Sequence, residues 1–175
     1  AYDDLSLEVL SFTDFGKERI KSLKISPDSF IQIGIQLAQY NTFGKIHNTY
    51  EAVMTKQFYK GRTEAMRPVT RESTQFVKDR RKDNLIRASK KHIERIIECK
   101  NGHGIDRHLF GLKKMHEKYF PTQQLPELFT SPSYQSITKN SVATSTSNST
   151  GLIYAGYGPS INDGYAVRYL IYKDR

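Results

Sequence analysis

Apolar and polar positions alternate at the start of the chain, where Leu5, Leu7 and Val9 are separated by Ser6 and Glu8 and followed by Leu10. That period of two predicts a strand. The next segment, "DFGKERIKSLK", reads as a lysine-rich turn. A helix is then expected from Pro27. Ser26 is a good N-cap, Pro27 suits the first helical position, and Asp28 complements the positive end of the dipole. The helix should run to about Tyr40 and stop near Gly44. Two extended runs follow, around Tyr50 and Thr63, with Gly61 between them. From Thr70 to Lys100 the spacing of Phe76, Val77, Leu85, Ile86, Ile93, Ile96 and Ile97 is helical, and "KDRRKDN" divides it into two helices. A further helix fits Asp106 to Phe120, after the "NGHG" turn. A proline-rich link over 121–132 leads to "SVATSTSNST", whose composition fits either a linker or a strand. The segment after it, "GLIYAGYGPSINDGYAVRYLIYKD", reads as two β-rich runs joined by "NDG", a turn that uses the positive φ open to Gly164. A strand pair beside a Ser/Thr strand predicts an α/β domain with a mixed sheet flanked by helices. No internal repeat is visible.

Composition narrows the class. A chain of 175 residues, 37% hydrophobic and 26% charged, is long enough to bury a core. Its net charge of +9 favours an anionic partner: nucleic acid, a phosphorylated cofactor or an acidic membrane surface. Cys99 is the only cysteine, which excludes an intramolecular disulfide or a cysteine-built zinc site and leaves a buried thiol as its reading. No apolar run reaches the roughly 20 residues that span a bilayer. The first residues are acidic where a targeting peptide would be basic. Both ends read as a fold cut partway, the last segment, "YAVRYLIYKDR", as a shortened strand.

The chemistry on offer is uneven. His47, His92, His103, His108 and His116 each lack partners at a catalytic or zinc-binding spacing, so each reads as solvated or structural. No GxSxG elbow, Walker loop or dinucleotide fingerprint occurs. Asn48 to Thr70 is more informative, because it packs Tyr50, Glu51, Arg62, Thr63, Glu64 and Arg67 into two extended runs, more polarity than a core strand needs. Lys17, Lys21 and Lys24 precede the helix start at Ser26. Their ammonium groups and the free backbone N–H groups of that helix suit a phosphate, and the same composition suits a solvated loop.

Five of these segments, taken in order, carry a resemblance. "DFGKERIKSLKISPDSFIQIGIQLAQY", "TYEAVMTKQFYKGRTEAMRP", "DRHLFGL", "STS" at Ser145–Ser147 and "GPSINDGYAV" together resemble the C-terminal half of a carnitine/choline acyltransferase. Within that family, "GRTEAMRP", "DRHLFGL" and "STSTSN" look most like its palmitoyl-transferring branch at the mitochondrial inner membrane. The resemblance implies a coenzyme A-dependent (chloramphenicol acetyltransferase-like) α/β fold, with residues 1–175 as a partial C-terminal domain. The partners implied are acyl-coenzyme A, carnitine and an N-terminal acyltransferase domain. Neither a permanent cofactor nor a metal is implied. The family's catalytic histidine lies in an HxxxDG-like motif outside this chain, so none of the five histidines is assigned to catalysis.

Carried over residue by residue, the resemblance places Tyr50, Ala52, Thr63, Arg107 and Ser145 at the carnitine site. Tyr50 and Thr63 would hydrogen-bond the carboxylate, and Arg107 would supply its counter-charge. Gly16, Lys17, Lys21, Lys24, Ser26, Asp28, Glu51 and Asn148 would form the coenzyme A site, the lysines toward phosphate and the two acids toward the pantetheine arm. Ser147 would support the tetrahedral oxyanion, a role that contributes on the order of 3 kcal/mol, with Ser145 and Thr146 binding nearby. Ala155 and Gly156, small where short-chain relatives are bulky, would open an acyl tunnel to medium and long chains; close packing of strands is the other reason for small residues there. Three positions depart from the family pattern: Ala52 for a common serine, Ile93 for an arginine of some relatives, and Asn148 for a glutamine. The threonine and arginine favour carnitine over choline. The expected function is therefore fatty acyl transfer between coenzyme A and carnitine on the matrix side of the inner membrane, with peripheral association to that membrane. A basic module for RNA or an acidic partner, or an inactive relative, stays open at this point.

Overall fold

The computed structural model describes residues 5–147, 151, 153 and 155–175. Its elements in chain order are α1 (Lys17–Ser22), α2 (Pro27–Phe43), β1 (Thr49–Met54), β2 (Thr63–Met66), α3 (Arg71–Asp79), α4 (Lys82–Lys100), α5 (Asp106–Tyr119), α6 (Glu127–Thr130), α7 (Pro132–Thr138), β3 (Val142–Thr146) and β4 (Tyr165–Tyr169). The strands form one mixed sheet in the order β2-β1-β3-β4. β1 and β2 are antiparallel, while β3 runs parallel to both β1 and β4.

Local chemistry explains most boundaries. The Ser26 hydroxyl caps α2 by accepting from Ser29 N, and the helix ends at Gly44 in the left-handed region at φ 69°, a conformation that glycine adopts without steric cost. Thr70 and Ser73 make reciprocal capping bonds at the start of α3. The expected break before α4 falls at Arg80, whose φ is 54°. The Asp79 carboxylate accepts from Arg81 N, Asn84 and Gln75 across that break, and bonds from the two side chains hold its pKa down to about 2.

Helices α2, α3 and α4 pack on one another, and α4 lies against β1 and β2. The strand residues facing inward there are Thr49, Glu51 and Val53, all buried. Val53, Met66 and Cys99 form a core cluster with Ile96 beside them. Burial pushes the Cys99 thiol up to about 11, as suits an inert structural cysteine. Helix α2 buries three glutamines beside Ile33: Gln32 donates to Thr144 Oγ1, Gln36 to Pro68 O and Gln39 to Thr49 Oγ1. Among the described residues no helix is long and apolar enough to cross a membrane.

Several expectations fail. Residues 5–10 form no strand; their leucines are bare, Leu7 at 78% and Leu10 at 91% exposure. Alternation supplies an apolar face, but a strand also needs a backbone ladder, and neither edge of this sheet provides one to them. The lysine-rich segment contains a helix, α1, because the carbonyls of Tyr172 and Lys173 accept from Lys17 N and Glu18 N at its first turn. The proline-rich link carries α6 and part of α7, where Ser131 caps and Pro132 occupies the first turn. Among the described residues the final β-hairpin does not form. Residues 155–158 lie outside any strand, and β4 pairs with β3 instead. Gly164 is not at positive φ. A Cβ there would lie 2.7 Å from Ile161 Cγ1 and 3.0 Å from Ser141 O, so glycine serves close approach. The chain after Tyr169 leaves the sheet and returns to α1.

Candidate functional site

Strand alternation sends every second residue of β1 and β3 away from the helices. The residues so placed, Tyr50, Ala52, Ala143 and Ser145, line an open cleft of about 600 Å³. Arg107, Ala155, Gly156, Tyr157 and Arg168 line it too. Four of the five expected carnitine residues and both expected tunnel residues thus converge on one concavity. Thr63 stands beyond the lining, exposed, paired in register with Met54 and so on the same face as Ala52.

Arg107 is positioned by the first turn of α5. Its backbone N–H donates to Glu64 Oε1 at 3.1 Å, which satisfies an open donor at the helix start and places a carboxylate at the positive end of the dipole. Its Nε donates to Thr63 O at 3.4 Å, so Thr63 and Arg107 are neighbours through the backbone. Beside it Arg67 pairs with Asp106 at 2.5 Å and also donates to Asn140 Oδ1, which ties β2 to α5. The Arg107 side chain stays exposed, its charge available to a ligand anion.

On β3, Ser145 Oγ accepts from Arg168 Nη1 at 3.0 Å, and Ser147 Oγ accepts from Arg168 Nη2. Thr146 is turned the other way, its hydroxyl donating to Tyr169 O at 3.0 Å, so the binding role expected for it does not fit its direction. β3 is an interior strand, between β1 and β4, and its Ala143 and Ser145 line the cleft. A Cβ built at Gly156 meets nothing within 4 Å, so close strand packing does not account for that glycine.

The expected coenzyme residues divide into two groups. Lys17 and Lys21 stand four apart on α1, one face of the helix. Lys24 follows in the left-handed region at φ 58°. An open hollow of about 670 Å³ beside α1 is lined by Gly16 and Arg19 but by none of the three lysines. The free N–H groups expected here are largely engaged: Tyr172 and Lys173 carbonyls accept at α1, and the Ser26 hydroxyl accepts at α2. Asn148 lies outside the described residues.

Asp28 and Glu51 belong to a different environment. Glu51 is 3% exposed and its Oε2 lies 2.8 Å from Nε2 of His92, itself 2% exposed. Asp28 Oδ1 accepts from Tyr169 O–H at 2.6 Å, and Gln32 Nε2 donates to that tyrosine oxygen at 3.0 Å. One ligand atom from each of Asp28, Glu51 and His92 lies within 4.8 Å of the others. Those are metal-ligand types, but the set is occupied by its own bonds. The Glu51 carboxyl is held away from water with the Asp28 carboxyl nearby, and both disfavour its charged form. Burial accordingly raises the Glu51 pKa, outweighing the opposite pull of His92. The same burial, with Asp28 alongside, drives the Tyr169 phenol far up. The expectation that no histidine has convincing company therefore fails at His92. Its signal was present in the sequence: Ala88, His92, Ile96 and Cys99 recur at helical spacing on the inward stripe of α4.

The domain thus carries α2 and α4 on one sheet face and a cleft lined by hydroxyl and guanidinium groups on the other. Residues 1–175 match the family described as choline/carnitine o-acyltransferase, and the chain belongs to that family. It is 34% identical over 184 residues to the rat protein "Carnitine O-palmitoyltransferase 2, mitochondrial", covering 97% of this chain and 27% of the relative. It is 38% identical over 184 residues to bovine "Peroxisomal carnitine O-octanoyltransferase", covering 98% and 30%. It is 40% identical over 187 residues to human "Carnitine O-palmitoyltransferase 1, muscle isoform", covering 97% and 24%. The chain thus spans between 24% and 30% of the length of these relatives.

Proposed function

We propose that these residues form the carnitine and coenzyme A side of an enzyme that moves medium-to-long fatty acyl groups between coenzyme A and carnitine. The observation that carries this reading is the convergence of Tyr50, Arg107, Ser145, Ala155 and Gly156 on one cleft. Arg107 would pair with the carnitine carboxylate, since an anion held out of water needs a counter-charge. Tyr50 and Thr63 would orient that carboxylate, and Ser147 would donate to the oxyanion. Lys17, Lys21 and Lys24 would meet coenzyme A phosphates electrostatically, with Gly16 letting the chain pass closely. Asp28 and Glu51 would reach the pantetheine arm only after exchanging the bonds they make with Tyr169 and His92.

The general base would be a histidine outside these residues. His92, the best-partnered of the five, is held with Glu51 on the helix side of the sheet, away from the cleft. The base would take the carnitine hydroxyl proton as the oxygen attacks the thioester carbonyl. Collapse of the tetrahedral oxyanion would then break the carbon–sulfur bond, and the base would return its proton to the coenzyme A thiolate. In the cell this exchange would serve fatty acid transport and oxidation on the matrix side of the mitochondrial inner membrane, as a peripheral partner of that membrane.

Carnitine-dependent release of coenzyme A from acyl-coenzyme A tests the reading. The full-length protein should turn over acyl groups from medium chains to palmitoyl, and the 175 residues expressed alone should not. Turnover by the 175 residues alone would move the base into this chain, and a full-length protein that favours choline would overturn the carnitine assignment.

A further inference from the structure

Arg168 is absent from every role considered above, yet it touches both Ser145, which lines the cleft, and Ser147 beyond it. β4 runs parallel to β3 with Arg168 in register with Ser145. Residues in register share a face, and Ser147 lies two positions further along that same face. One guanidinium therefore spans both hydroxyls, Nη1 to Ser145 Oγ at 3.0 Å and Nη2 to Ser147 Oγ.

The direction of those bonds follows from chemistry. A guanidinium has donors and no acceptor. Both serine oxygens must accept, so the single proton of each hydroxyl must point elsewhere. Among the described residues neither hydroxyl donates to another group, and the open direction beside Ser145 is the cleft. An oxygen that accepts a charge-assisted hydrogen bond also becomes a stronger donor itself. Arg168 Nε is buried with no partner of its own. Among the described residues no carboxylate pairs with Arg168, so its positive charge stands beside the two hydroxyls at the cleft wall.

We propose that Arg168 is a positioning residue: it fixes Ser145 and Ser147 as hydrogen-bond donors into the cleft and polarises the Ser147 hydroxyl toward a developing oxyanion. This rests on the acyl-transfer reading above. Arg168 itself does not touch the reacting atoms; it acts through Ser147.

A double-mutant cycle in the full-length enzyme tests it, with kcat and both KM values measured for palmitoyl-coenzyme A and carnitine. Ser147→Ala should lower kcat about a hundredfold. Arg168→Met should lower kcat about tenfold with smaller changes in either KM, and Arg168→Lys should recover part of that loss. In the Ser147→Ala background Arg168→Met should lower kcat no further, because the group it orients is gone. Independent losses that multiply in the double variant would overturn the proposal, as would equal kcat for the Arg168→Met variant and the unmodified enzyme. If Arg168→Met does not fold, the cycle is run with Arg168→Lys under the same criterion. Absence of turnover in the unmodified enzyme would instead overturn the acyl-transfer reading, so the two failures are distinct.

Discussion

The two faces of the sheet are made from adjacent residues and behave as different materials. On β1, Thr49, Glu51 and Val53 face the helices, while Tyr50 and Ala52 face the cleft. The helix face buries its polar groups and pairs most of them: glutamines to threonines, His92 to Glu51, Tyr169 to Asp28. The cleft face leaves an exposed guanidinium at Arg107 and hydroxyls that receive bonds without returning them. One face holds the strands in register; the other presents donors. The difference teaches that a ligand surface is recognised here by the donors it leaves open, since the number of polar groups is no guide.

The sharpest break of this comparison is His92→Ala. Removing one partner of a buried pair leaves Glu51 desolvated and alone, and such losses cost about 3–5 kcal/mol. Native-state hydrogen exchange at the β1 amides should report that loss. Tyr50→Phe, one residue away from Glu51 on the cleft face, should change the same amides by less than about 0.5 kcal/mol. Comparable losses from both would erase the distinction between the faces.

Next in size is Ala155→Met. If the cleft continues as an acyl tunnel, each methylene it buries contributes up to about 0.8 kcal/mol. Blocking about three of them costs roughly 2–3 kcal/mol, or about 30- to 150-fold in kcat/KM for palmitoyl-coenzyme A. Acetyl- and butyryl-coenzyme A should be spared. A uniform loss across chain lengths would mean that Ala155 packs the fold and lines no tunnel.

The alternation and capping signals made most of this fold legible. Ser26 with Pro27, Thr70 with its helix, and the charged break at Arg80 each carry their own local chemistry. The failures have a different character. Leu5, Leu7 and Val9 alternate correctly but have no ladder to join, and α1 depends on Tyr172 and Lys173, more than 150 positions along the chain. On the site side, the residues at Tyr50, Arg107 and Ser145 were readable as segments of a family. Arg168 was not, because its partners are set by strand register across 23 positions, and the helical stripe that buries His92 does not name Glu51, 41 positions away, as its partner. A buried stripe of Gln32, Gln36 and Gln39 also defeats any reading that equates core with apolar.

The smallest effect concerns pH. Burial holds the Glu51 carboxyl above its ordinary value of 4.5 in the folded protein. The folded state therefore keeps a proton that the unfolded chain has already released. Its contribution is fully present below the ordinary value and is lost as pH rises through the raised one. Protection of the β1 amides should decline over that interval, and Glu51→Gln should flatten the decline. A decline of the same slope in the variant would place its origin elsewhere.

The division between the cleft and the lysine helix is tested most directly by the KM values of two variants of the full-length enzyme. Arg107→Asn removes the counter-charge proposed for the carnitine carboxylate and should raise the carnitine KM by about 1.5–3 kcal/mol, roughly ten- to a hundredfold, with little change for acyl-coenzyme A. Lys17→Ala with Lys21→Ala should raise the acyl-coenzyme A KM instead, and that increase should shrink as salt is added, because exposed charges are screened. Equal changes in both KM values for both variants would contradict the assignment of carnitine to the cleft.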